Sequence, residues 1–207
     1  MASVAPAREQ ITGLVLAGGR GSRMGGVDKG LQLHRGTALA LQALRRLGPQ
    51  VSGVMISANR HLERYRAMGV PVWPDTVPAQ PGPLAGLLAG AVHCPTPWLL
   101  TVPCDAPDFP LDLASRLAAA VGADTRIVVA CTLEEGQRRA QPVFCLLQAS
   151  LHASLAAALH AGERRVARWA AQQAATEVVF DDAAMFFNVN TLADLRQVHE
   201  DERPRAR

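Results

Sequence analysis

ITGLVLAGGRGSRMGGVDKG, residues 11–30, is the stretch that decides the fold. Its first part, ITGLVL (11–16), reads as a buried strand, and the strand runs straight into a glycine loop. Gly18, Gly19, Gly21, Gly25 and Gly26 fall within nine positions, which removes side chains where backbone N–H groups could close around phosphate oxygens. Arg20, Arg23 and Lys29 are cations able to reach the same oxygens. A flexible hairpin with solvated charges is the plainer reading, but a glycine loop placed directly after a buried strand points to a phosphate loop. The two standard patterns both fail. Lys29 follows Asp28 and precedes Gly30, so there is no Walker loop, and Met24 stands where a dinucleotide fingerprint begun at Gly19 needs its third glycine.

Outward from this loop, short aliphatic runs alternate with amphipathic stretches. Helices are predicted over 37–47, 60–68, 83–92, 111–121, 148–160, 164–174 and 191–199. Strands are predicted over 51–57, 70–73, 98–102, 126–131, 142–147 and 176–180, and FFNVNT (186–191) reads as one more short strand. Pro71 makes the 70–73 run an edge strand. Pro83 suits a first helical turn. Strands separated by helices predict an α/β fold, a mostly parallel sheet with helices on both faces. Ligands in such sheets bind beyond the carboxyl ends of the strands, and the unusual motifs fall there: the glycine loop, SANR, PDT and PCDAP.

The chain has 207 residues, enough for one large domain, and 49% hydrophobic content with 4% aromatics makes its core aliphatic. One domain is expected over 11–199, with flexible ends at 1–10 and 200–207. The net charge of +3 comes with no basic stripe, so nucleic acid is not expected as a partner. The first apolar run is too short to span a membrane, and no small-residue cleavage site follows it. Four cysteines at 94, 104, 131 and 145 lack metal-site spacing and read as reduced core thiols of a cytoplasmic protein.

Asp105 lies in VPCDAPDFP, at the end of an apolar strand and in a turn stiffened by Pro103 and Pro107. Such a carboxylate can bind Mg²⁺ that bridges phosphates, or it can simply form an Asx turn or cap before LDLASRL; beside the glycine loop, the metal reading is preferred. Arg164 and Arg165 sit at a predicted helix start, where cations oppose the dipole; an anion site would excuse them, and a solvated face is the plain alternative. Asn188 and Asn190 alternate about Val189 and so share a face. There is no Gly-x-Ser-x-Gly elbow and no His-Glu-x-x-His.

Taken in order, LAGG-x-x-x-RMGG-x-DKGL, ANRH, PGPLAG (81–86), PCD, GERRV and NVNT resemble the molybdenum cofactor guanylyltransferases, the MobA family, from about residue 11 to 199. The resemblance implies a Rossmann-like nucleotidyltransferase fold. It implies Mg²⁺-dependent transfer of GMP from GTP to the terminal phosphate of Mo-molybdopterin, with release of pyrophosphate. By matching motif, Leu16, Ala17, Gly18 and Gly19 would line the nucleotide, with Lys29 on its phosphates, and Ser57, Asn59 and Asp75 beside it. Asp105 would hold the metal. Arg23 would act with Lys29 and Asp105, while Arg164, Arg165, Asn188 and Asn190 would contact the pterin. Ser57 departs from members with asparagine there, so that contact becomes a hydroxyl or is lost. A monomer is expected, with molybdenum-insertion proteins or molybdoenzyme chaperones as candidate partners.

Two other readings remain open. Related cytidylyltransferases read LAAG where this chain has LAGG, so Gly18 could leave room for a purine. A catalytically silent partner of molybdoenzymes is the other reading, against which the intact Lys29 and Asp105 argue.

Overall fold

The structure, a computed structural model, describes residues 5–18, 28–75 and 82–189. Each aliphatic run of the sequence becomes a strand of one seven-stranded sheet. These strands are β1 (Ile11–Leu16), β4 (Gly53–Ser57), β5 (Val72–Trp73), β6 (Trp98–Pro103), β7 (Ile127–Glu134), β8 (Gln137–Gln148) and β9 (Thr176–Phe180). Their order is β5-β4-β1-β6-β8-β7-β9. The β5-β4-β1-β6 half is parallel, as is β7 with β9, while β8 runs antiparallel to both β6 and β7. The sheet is therefore mostly parallel, as predicted.

The antiparallel strand was hidden because 126–131 and 142–147 look like two unconnected runs. They are the inner parts of one long hairpin. Glu135 and Gly136 both adopt positive φ, the pattern of a two-residue type I′ turn. A second such turn, at Arg35 and Gly36, joins two further short strands, β2 (Leu33–His34) and β3 (Thr37–Ala38). This hairpin displaces the start of the first helix, α1, from the expected Thr37 to Leu39; it ends at Leu47.

The other helices are α2 (Leu62–Arg66), α3 (Pro83–His93), α4 (Leu113–Ala119), α5 (His152–His160) and α6 (Val166–Gln172), most of them shorter at the ends than their apolar periods suggest. The strand expected over 186–191 is not formed in its described part. Ala183–Phe186 makes a 3₁₀ turn instead, because the Asp182 carboxylate accepts from the Ala184 N–H. Arg8–Gln10 also forms a 3₁₀ turn leading into β1. Residues 191–199 and 200–207, and the first four residues, lie outside the described residues.

Two apolar layers cover the sheet. Leu44 and Leu47 of α1 pack with Leu113 and Leu117 of α4 over one face, and Leu84 and Leu87 of α3 with Leu155 and Trp169 over the other. Cys104, Cys131 and Cys145 are buried, and all four thiols are unpaired. Among the described residues, no helix is long and apolar enough to cross a membrane.

Candidate nucleotide site

The carboxyl ends of β1, β4, β5 and β6 meet at one edge of the sheet and are tied together beyond their last paired residues. Ala17 N–H donates to Ser57 O at 2.8 Å, Cys104 N–H to Leu16 O at 3.0 Å, and Ala58 N–H to Trp73 O at 3.1 Å. Above them lies a cleft of about 370 Å³. Leu16, Gly18, Ser57, Asp75, Asp105 and Asn188 all line it. Five separate sequence motifs are thus brought to one place.

One wall is built around Asp75. Asn59 Nδ2 donates to its carboxylate at 2.6 Å, and the Asp75 N–H donates back to Asn59 Oδ1 at 2.8 Å. Ser57 Oγ adds a longer bond of 3.4 Å. Ser57 therefore keeps a place in the site as a hydroxyl donor. Burial raises the Asp75 pKa from its ordinary value, and the bonds from Asn59 and Ser57 partly offset that rise. This wall leaves little room for a side chain at Gly18. An added β-carbon would lie 3.1 Å from Asn59 Nδ2. Gly86 of α3 serves the same wall, since a β-carbon there would meet Leu16 Cδ2 at 2.6 Å and Ser57 Oγ at 3.0 Å.

The other wall holds Asp105, whose carboxylate accepts from Lys29 Nζ at 3.1 Å. The two side chains keep 18% and 24% of their surface exposed, and Asp105 itself lines the cleft. Lys29 follows directly on Asp28, which is buried and bonded to Tyr65. Val189 N–H donates to Asp105 O at 2.7 Å, and this bond brings Asn188 to the rim. Ala17, Lys29 and Asn59 touch the cleft only through Gly18, Asp105 and Asp75.

Arg164 and Arg165 do not line this cleft. They line a second hollow of about 380 Å³, and Gly82 of the cleft packs near it, since a β-carbon on Gly82 would lie 3.7 Å from Arg164 O. The Arg164 guanidinium turns back to Leu159 O and Glu163 O, at the end of α5. The misplaced cations have an internal explanation in Glu163, which the sequence reading passed over. Its Oε1 accepts from the N–H groups of Arg164 and Arg165 at 2.8 and 2.9 Å, and its Oε2 lies 3.2 Å from Arg168 Nε. Those backbone bonds hold the Glu163 pKa below the ordinary carboxylate value.

Gln141, Pro142 and Phe144 of β8 also line the cleft and were missed. The pairing of β7 with β8 slips between Val129 and Ala130, so the β8 residues opposite swing toward the site. Pro142 inside an apolar run was the available signal. Gly19, Arg20, Arg23 and Asn190 lie outside the described residues.

Among the described residues no group of three or more His, Cys, Asp or Glu could cage a metal ion. Magnesium does not need such a cage when one or two carboxylates and substrate phosphates supply its oxygens. Asp105, which lines the cleft and is partly exposed, fits that arrangement.

The MobA-like NTP transferase domain matches residues 13–178. The molybdenum cofactor guanylyltransferase of Bordetella petrii is 56% identical over 192 residues, covering 92% of this chain and 98% of its own. That of Cupriavidus necator is 56% identical over 197 residues, covering 94% and 98%. Among solved structures, molybdopterin-guanine dinucleotide biosynthesis protein A from Archaeoglobus fulgidus superposes with a TM-score of 0.70 at 18% identity, over 92% of this chain and 97% of that one. The 4-diphosphocytidyl-2C-methyl-D-erythritol synthase from Anaerococcus prevotii gives 0.72 at 9% identity, over 94% and 99%. The structural likenesses establish a nucleotidyltransferase fold, and the sequence likenesses go further: the chain belongs to the molybdenum cofactor guanylyltransferases, a family of nucleotidyltransferases.

Proposed function

We propose that the chain transfers GMP from GTP to the terminal phosphate of Mo-molybdopterin, forming the guanine dinucleotide cofactor and releasing pyrophosphate. The observation that carries this reading is the division of one cleft into two walls. Asp75, braced by Asn59 and Ser57, offers hydrogen-bond acceptors suited to the N–H edge of a guanine. Lys29 and Asp105 stand on the opposite wall, where a triphosphate needs charge.

No general base is required. A phosphate monoester has a second pKa of about 6, so the acceptor is already an anionic nucleophile at neutral pH. What remains is positioning and neutralisation of charge. Lys29 supplies a cation beside the phosphates, and the glycine loop, with Gly19 and Arg23, supplies further donors. Asp105 would hold Mg²⁺, which neutralises phosphate charge when bound. Asn188, Asn190, Arg164 and Arg165 face the acceptor on this reading. Gly82 lines the cleft and packs against Arg164 O, and Arg164 lines the hollow, which supports a ligand extending from one to the other. Four unpaired thiols suit a reducing cytoplasm.

Incubation of the chain with GTP, Mg²⁺ and Mo-molybdopterin tests the proposal, with mass analysis of the product. A guanine dinucleotide and stoichiometric pyrophosphate are expected. A cytosine product with CTP, and none with GTP, would overturn it.

A further inference from the structure

We propose that Tyr65 is a positioning residue for Lys29, acting through Asp28; the inference rests on the nucleotidyltransferase reading above. Tyr65 sits in α2, on the far side of the glycine loop in sequence, and is fully buried. Its Oη donates to Asp28 Oδ1 at 2.5 Å, and Asp28 is itself buried. The Asp28 carbonyl is held as well, by Leu31 N–H at 3.2 Å and Gln32 Nε2 at 3.3 Å. Asp28 is therefore fixed at both its side chain and its backbone, and the next residue is Lys29.

One more observation points to the same contact. A β-carbon on Gly30 would collide with Tyr65 Oη, so the backbone beyond Lys29 runs directly against the hydroxyl. Burial and Asp28 together push the Tyr65 pKa far above its ordinary value, so the hydroxyl remains a donor at any working pH. Tyr65 touches neither the cleft nor a substrate. It sets where the Lys29 ammonium stands, and Lys29 then meets Asp105 and the phosphates.

The test is a double-mutant cycle with the full chain, reading kcat/KM for GTP and the melting midpoint. Tyr65→Phe keeps the ring packing and removes the hydroxyl. It should lower kcat/KM by about tenfold to a hundredfold, the worth of one hydrogen bond to a charged group. In a Lys29→Met background the same change should cost less than about twofold, because the residue it positions is gone. KM for the pterin acceptor should not move in either background. Equal losses in both backgrounds, or wild-type kinetics for Tyr65→Phe, would overturn the inference. If Tyr65→Phe does not fold, Asp28 carries the test. Asp28→Asn keeps an acceptor for Oη and should retain activity, whereas Asp28→Ala should lose it; equal activities would overturn the inference. Wild-type turnover is the control. Its absence removes the proposed function, while normal turnover with an unaltered Tyr65→Phe removes only the role of Tyr65.

Discussion

The nearest atom to a β-carbon on Gly18 would be Asn59 Nδ2, at 3.1 Å, and that nitrogen is the donor that holds Asp75 at 2.6 Å. The glycine of LAGG thus makes room first for Asn59, and on the proposed function a purine would benefit through Asp75. Gly18→Ala should push Asn59 off Asp75 and weaken GTP binding by about tenfold or more, the cost of one charge-assisted hydrogen bond. The melting midpoint should barely change, since Asn59 is exposed. Calorimetric titration with GTP and CTP checks this. Unchanged GTP affinity in the variant would mean that Asn59 does not serve the nucleotide.

The strand–loop pairing at 11–30 and the motifs at strand ends were legible because chain-local signals create them. β1, β4 and β6 are apolar runs, and their carboxyl ends must meet in a parallel sheet. The β7–β8 hairpin was not legible, because its turn is a two-residue Glu135-Gly136 step with no helix to announce a crossover. Glu163 was passed over because its neighbours Arg164 and Arg165 dominate the charge pattern, while its partners are backbone N–H groups that sequence does not display. Tyr65 and Asp28 are 37 residues apart, and only the fold brings them into contact.

Asp105→Ala should separate function from stability. The Lys29–Asp105 pair is partly exposed, so its loss should cost the fold no more than about 1 kcal/mol, or about 2–4 °C in melting midpoint for a chain of this size. Turnover should fall by about a hundredfold or more, as expected when a charged group is removed from the reacting phosphates. Pyrophosphate release and thermal melting, measured on the same preparation, decide the point. A folded variant with near-normal Mg²⁺-dependent activity would sink the assignment of Asp105.

Two glycines of α3 should respond differently to the same substitution. Alanine is favoured over glycine in a helix by about 1 kcal/mol, but overpacking a filled core costs about 1–3 kcal/mol. At Gly90 the new β-carbon meets Leu14 and Leu99, both fully buried, so Gly90→Ala should destabilise the fold and leave KM for GTP alone. At Gly86 it meets Leu16 and Ser57 on the cleft wall that holds Asp75, so Gly86→Ala should raise KM for GTP as well. Paired melting and kinetic measurements distinguish the two, and a raised KM in Gly90→Ala alone would reverse the assignment.

Glu163 sets a pH dependence of stability whose sign follows from its lowered pKa. The ionised carboxylate is favoured in the folded chain by the N–H groups of Arg165 and Arg164. A depressed acid contributes stability that is complete above the ordinary glutamate pKa of about 4.3 and disappears as pH falls through the folded value. Glu163→Gln removes the charge and keeps an acceptor oxygen. Its melting midpoint should lie below that of the wild type at pH 7, and the gap should close as the pH is lowered toward about 3. The carboxylate also holds the two residues that lead into α6 and lies 3.2 Å from Arg168, so the gap at pH 7 should narrow in high salt. A gap of constant size from pH 7 to 3 would show that Glu163 acts through packing rather than through its charge.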